Sequence, residues 1–192
     1  MNLTEPIRNK VHVARLIAYY ANRGETRNGA LVTLCVHTAL RISDILRLNY
    51  NDVYDEEGHV RKSITIREKK TGKTKIIALN KKVVAALAAH LSNAVPGAPL
   101  VLNIRTGNAI SRIQAYRIIR AAAHAVKIPQ NVSCHSLRKT FGYHAWKGGT
   151  SPAVIMDIYN HSSLAVTKRY LGVTQDDKNA VYLGINFTPT AS

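Results

Sequence analysis

One stretch of this chain breaks the helical rhythm of the rest. From Val60 to Leu79 the period shortens: Ile64 and Ile66 alternate with Ser63, Thr65 and Arg67, and Ile76, Ile77 and Leu79 follow Lys73. A period of two marks a strand with one buried face. Between the two runs, Lys69-Lys70-Thr71-Gly72 reads as the turn, with Gly72 able to take a positive φ. A lone hairpin is marginal in water, so this one must lie on helices. The expected class is α+β, mostly α-helical, with a small antiparallel β-hairpin or sheet.

The helices are read from spacing and caps. Thr4 as N-cap, with Pro6 in the first turn, opens a helix with the inner stripe Val11, Leu16, Ile17, Tyr20 and Ala21, ending before Gly24. A second covers about 28–39 through Leu31, Leu34, Cys35 and Val36, and Ser43 caps a short one over 44–48. Asn80 caps a helix over 81–91, and Ser111 begins one carrying Arg112, Tyr116, Arg117 and Arg120. Ser136 caps the helix of Arg138 and Trp146, Thr150 or Ser151 the next, and Ser162 or Ser163 the helix of Arg169 and Tyr170. A polar helix from about 175 to 183 precedes an apolar end, Ile185-Asn186-Phe187. The loop Pro96-Gly97-Ala98-Pro99 is too short to divide the chain into separate domains, and no repeat is present.

Charge narrows the partners. Lys and Arg number 27 against 11 Asp and Glu, a net +16, which favours a polyanion, nucleic acid first. No apolar run approaches a membrane span of roughly 20 residues, and the start lacks the shape of a secretion signal. Cys35 and Cys134, a lone distant pair, suit a reducing cytoplasm and form no metal-ligand cluster.

The chemistry gathers late. His135-Ser136-Leu137-Arg138 puts a histidine and an arginine three apart, on one helical face. Asn160-His161-Ser162-Ser163 and then Tyr170 follow within 36 residues of His135. A phenol with a free pKa of roughly 10 is a poor nucleophile. It becomes effective where fixed cations stabilise the charge that develops as it attacks. In so basic a chain, this points to a phosphodiester rather than an acyl group.

This stretch resembles the second catalytic box of the tyrosine recombinases, the integrase family with His-x-x-Arg, then Gly-His, then Tyr. Ala39-Leu40-Arg41-Ile42-Ser43-Asp44 resembles its first box, and Glu68-Lys69-Lys70-Thr71-Gly72-Lys73 supplies the hairpin lysine. Position before Thr-Gly favours Lys70, with Lys69 and Lys73 as rivals. Asn160 stands where the family has Gly, and Asn tolerates the left-handed region better than other non-glycine residues.

The resemblance implies metal-free, cofactor-free transesterification through a 3′-phosphotyrosyl link. Tyr170 would attack, Arg41 and Arg138 would grip the nonbridging oxygens, and Lys70 would protonate the leaving 5′-oxygen. His135 would serve as acid and base, and His161 would hydrogen-bond the phosphate. Asp44 would orient Arg41 or His135, or serve only its own helix. Lys69, Lys73, Arg112, Tyr116, Arg117 and Arg120 would contact double-stranded DNA. Only about forty residues precede Arg41, too few for the family's N-terminal DNA-clamping domain. The chain therefore reads as one catalytic domain, 1–192, similar to the compact fimbrial-type DNA invertases. An excised catalytic domain is the other reading. The tail, about 174–192, would dock on a neighbouring protomer in a tetramer holding two duplexes, alongside accessory DNA-bending proteins in the cytoplasm and nucleoid. The competing functions are a catalytically silent DNA-binding regulator and a type IB topoisomerase-like enzyme.

Overall fold

The hairpin forms, and it stays small. The chain is described by a computed structural model covering residues 4–70 and 72–185. In order come α1 (Lys10–Ala21), α2 (Thr26–His37), the single turns α3 (Ile42–Ile45) and α4 (Tyr50–Val53), strands β1 (Ser63–Arg67) and β2 (Thr74–Ala78), and α5 (Lys81–His90). Then follow α6 (Arg112–Ala125), α7 (Cys134–Lys147), α8 (Pro152–Tyr159), α9 (Leu164–Leu171) and α10 (Gln175–Gly184). The strands are antiparallel, with Ile64 opposite Ile77 and Ile66 opposite Lys75. Among the described residues no helix is long and apolar enough to cross a membrane.

Helix α2 is the axis of the core. Every residue from Gly29 to Val36 is buried, as expected of a helix covered on all sides. α1, α5 and α7 pack around it. Leu16, Leu34, Ile45, Leu87, Ile119 and Leu137 belong to one continuous cluster. A smaller cluster of Ala39, Ile155, Tyr159 and Leu171 anchors α8 and α9.

Several boundaries differ from the sequence reading, each for a local reason. The first helix starts at Lys10, not near Pro6, because Asn9 accepts from the Val11 amide and is its cap. The segment before it is pinned to α7 instead, the Ile7 amide donating to Thr140 Oγ1 at 2.9 Å. Val11 therefore lies on the outer side, 55% exposed. α2 starts two residues earlier than expected and ends at His37, before Ala39 turns left-handed at φ 56. Arg41, not Ser43, holds the cap position of α3, which ends at Ile45. α7 is capped by Ser133 through a reciprocal box with Ser136, so Ser136 is the box partner and not the cap. Thr71 in the turn, and Asn186 and Phe187 in the tail, lie outside the described residues.

Gly142 joins the core to the site. A Cβ there would stand 2.4 Å from the Tyr159 hydroxyl, which donates to the Arg138 carbonyl at 2.6 Å. Gly142→Ala is expected to destabilise the chain by about 1–3 kcal/mol, the usual scale of overpacking. Urea unfolding measures this; an unchanged midpoint would mean that Tyr159 has room to move.

Candidate active site

Four elements bring the site together. α7 contributes His135 and Arg138 from its first turns, oriented by the Ser133–Ser136 box. The bend after α2 contributes Arg41. The end of α8 contributes the turn of Asn160 and His161, and α9, capped by Ser163, contributes Tyr170. Thr167 and Leu171 are buried on α9 and fix its rotation, so Tyr170 faces the same hollow.

Around Tyr170 the rings close up. Its centroid is 5.0 Å from that of His135, 4.5 Å from His161 and 5.1 Å from Tyr159. The Lys139 ammonium lies over the Tyr170 ring at 5.5 Å. His161 stacks on Tyr159, and its Nδ1 is 3.0 Å from Thr167 Oγ1. If the hydroxyl donates to Nδ1, the ring proton sits on Nε2, which is the tautomer able to donate to an oxyanion.

The two arginines differ in setting. Arg138 is 2% exposed. Its guanidinium donates to the carbonyls of Ala39 and Tyr159 and lies 4.5 Å from the centre of the Tyr159 ring. The left-handed turn at Ala39, costly for a residue with a Cβ, is what aims that carbonyl. Arg41 forms an ion pair with Glu68, its Nη1 3.0 Å from Oε2. Arg138 Nε, by contrast, is buried and makes no hydrogen bond among the described residues. Buried N–H groups of a charged side chain rarely stay unmatched without a purpose. Arg41, Arg138 and His135, with Arg112 and Tyr116 of α6, line a cleft of about 660 Å³.

Both histidines are held neutral. His135 stands at the solvent edge of this cleft, yet its pKa falls to about 4, chiefly through desolvation by the cleft walls and then through Lys139, Arg138 and Arg41. His161 falls to about 4 too, again by desolvation first, then by Arg138, Arg41, Lys75 and His135. A base whose folded pKa lies below its unfolded value near 6.5 binds more protons when unfolded. Its contribution is present above pH 6.5 and is lost as pH falls toward 4. The melting temperature is expected to drop across that window, and by less in a His135→Gln/His161→Gln double variant. An equal drop in both would mean that these rings are not the acid-sensitive groups.

Not every residue expected at the site reaches it. Lys69 and Lys70 are exposed at the hairpin end, as is Lys73. The lysine that enters is Lys75 of β2, its Nζ 2.9 Å from Glu68 Oε1 and also donating to the Ile158 carbonyl. Asp44 does not orient Arg41 or His135; its Oδ1 accepts from the Lys69 amide at 2.9 Å and braces the hairpin. On α6 the basic residues divide. Arg112 and Tyr116 face the cleft, Arg117 borders a second hollow with Arg27 and Arg105, and Arg120 donates to the Tyr116 hydroxyl and Asn131. Sequence reasoning missed Lys75 and Glu68, although strand alternation held the signal. Glu68 continues the inward series Ile64, Ile66, and Lys75 precedes the inward Ile77. Asn160 behaves as expected, at φ 51 and ψ 47.

Known proteins share this chain's sequence pattern and fold. A family model described as the phage integrase family matches residues 9–176. The chain is 34% identical over 182 residues to the probable integrase/recombinase YoeC of Bacillus subtilis (strain 168), covering 95% of this chain and 97% of that protein. It is 31% identical over 159 residues to the tyrosine recombinase XerC of Pelobacter propionicus, where 81% of this chain spans only 51% of the relative. Among solved structures, XerA recombinase superposes with a TM-score of 0.78 at 24% identity, covering 94% of this chain and 65% of that one. XerH site-specific recombinase in a post-cleavage complex with its palindromic difH substrate gives 0.73 at 17% identity, covering 96% and 54%. At these identities the superpositions speak for the fold alone.

Proposed function

Since the chain belongs to the phage integrase family, the tyrosine recombinases, we propose that it cuts and rejoins DNA at specific sites through a covalent 3′-phosphotyrosyl link. The observation that carries this reading is the buried Arg138 Nε, which makes no hydrogen bond among the described residues, together with a phenol packed against His135 and His161. A phosphate entering between Arg41 and Arg138 would satisfy that donor and take charge-assisted hydrogen bonds from both side chains. Tyr170 would attack phosphorus, and neutral His135 would take the phenolic proton. The bond to the 5′-oxygen would break, with a lysine of the hairpin protonating the leaving group. Lys70 stands exposed at the hairpin end, and Lys75 lies beside Arg41's partner, Glu68. His161, by donating from Nε2, would hold a nonbridging oxygen. The phosphodiester becomes a phosphotyrosyl ester, so a second 5′-hydroxyl can reverse the step without an energy source.

The assay uses duplexes selected by binding from a randomised pool, then nicked so that the cleaved end diffuses away. The expected product is protein joined to a 3′ end, with a free 5′-hydroxyl on the released piece. Specific binding without a covalent product would favour a silent regulator. Relaxation of supercoils without regard to sequence would favour a topoisomerase-like enzyme.

We also propose that copies join through α10 into a tetramer on two duplexes. α10 has no buried residue and leaves Val181, Tyr182, Leu183 and Ile185 exposed. A groove of about 750 Å³ between α1, α2, α5 and α7 is lined by Val13, Ile17, Val36, Ala86 and Phe141, with Lys10 and Lys82 beside it. The apolar end of the helix matches the apolar lining of that groove, and Asp176 adds a negative charge toward its lysines, while Asp177 already pairs with Lys147 of its own α7. Truncation after Thr174 is expected to leave a folded, DNA-binding chain that no longer pairs two duplexes in a gel-shift or light-scattering assay. Normal pairing by the truncated chain would rule the tail out.

A further inference from the structure

We infer that Glu68 is a positioning residue of this site: its buried carboxylate fixes Arg41, Lys75 and, through Asn160, the turn that presents His161. The inference rests on the phosphate-cleaving function proposed for the site and adds a residue to which that function gives no role. The Glu68 side chain is fully buried. Oε2 takes the Arg41 guanidinium at 3.0 Å and accepts from Asn160 Nδ2 at 2.9 Å, while Oε1 takes Lys75 Nζ at 2.9 Å. One carboxylate thus links the bend after α2, the second strand and the end of α8.

The physical need for it is clear. Arg41, Arg138 and Lys75 crowd one poorly solvated hollow, where like charges repel strongly. Two negative poles oppose them. One is the C-terminus of α8, where the Ile158 carbonyl accepts from Lys75 and the Tyr159 carbonyl from Arg138. The other is Glu68. Removing one partner of a buried charge set leaves the others uncompensated, so the cations would be expected to spread apart and lose their aim. Asn160 ties the second half together. It takes the left-handed conformation that the turn requires and also offers an amide donor, which glycine could not. His161 follows directly, so the contact sets the height of that ring over Tyr170.

The test measures single-turnover cleavage of the selected nicked duplex at saturating DNA, alongside its Kd. Glu68→Gln keeps the shape and one acceptor but loses the charge. We expect cleavage to slow by about 10²-fold, the scale of a small misplacement of reacting groups. The Kd should be unchanged or tighter, because the protein gains net positive charge. A carboxylate that served only the fold would lower the melting temperature and leave the saturated rate alone. Asn160→Gly, whose backbone suits the turn, should also slow the saturated rate, and the double variant should be less than multiplicatively impaired, because the two act through one contact. A wild-type rate in folded Glu68→Gln overturns the inference. If Glu68→Gln does not fold, Asn160→Gly decides: a slowed saturated rate supports the coupling, and a wild-type rate overturns it. Absence of covalent product from the wild-type chain would sink the underlying function, and this inference with it.

Discussion

Arg138→Ala is expected to slow cleavage by about 10²–10³-fold, the scale for removing one preorganised charge donor from a reacting oxyanion. The same change should weaken the fold, because this side chain is 2% exposed and serves as an internal strut. It donates to two carbonyls, of Ala39 and Tyr159, on either side of the hollow. Each buried carbonyl left unmatched costs about 1–3 kcal/mol. Arg138→Lys should not rescue either effect, since an ammonium lacks the forked donors that reach both carbonyls and still leave Nε for phosphate. Arg41→Ala separates the two roles. Its side chain is 21% exposed and, among the described residues, bonds the frame through a long 3.5 Å contact to Tyr159 besides its pairing with Glu68. It should therefore slow cleavage on a similar scale with a smaller stability loss. Paired measurement of cleavage rate and urea midpoint checks this; equal loss of DNA affinity and rate in both variants would make them ordinary backbone contacts.

Tyr170→Phe is expected to abolish the covalent product while DNA affinity stays near wild type. In the proposed reaction the hydroxyl is the attacking atom, whereas the ring does the packing. The ring sits among His135, His161 and Tyr159, and phenylalanine keeps those contacts. Affinity is expected to rest on phosphate contacts spread over a chain of net charge +16, so its salt dependence should remain steep and unchanged. A Phe variant still forming covalent product would move the nucleophile to another tyrosine. Tyr159 is the nearest rival in space, but its hydroxyl is committed to the Arg138 carbonyl, and burial drives its pKa far upward.

The sequence is most legible where the candidate reacting side chains lie within one short segment. Helical spacing delivers His135 and Arg138 to one side of α7 and a serine cap opens the helix of Tyr170, although the cap expected at Ser136 falls on Ser133. It is least legible where the site depends on contacts between distant segments. A hairpin tip rich in lysine draws attention to Lys70, but burial alternation, not local charge density, decides which lysine turns inward. Lys75 lies opposite Ile66 and shares its buried face. Glu68 looks like one more polar residue at a strand end until Arg41, 27 positions earlier, and Asn160, 92 later, are seen around it. The role of Asp44 is hidden for the same reason: its partner is a backbone amide across the hairpin, which no spacing rule reveals. The similarity to fimbrial-type invertases finds no counterpart among YoeC, XerC, XerA and XerH. The 97% span of YoeC and the 51% span of XerC leave inversion, excision and integration to be separated by experiment.

The most direct test of tyrosine-mediated cleavage is the identity of the residue joined to DNA. The wild-type chain is incubated with a nicked duplex carrying its selected site, the trapped complex is digested with protease, and the nucleotide-bearing peptide is sequenced by mass spectrometry. The geometry of the site predicts a single modified residue, Tyr170, linked to a 3′-phosphate. Attachment through any other residue, or through a 5′-phosphate, or no attachment to DNA that the chain demonstrably binds at a specific site, would contradict it.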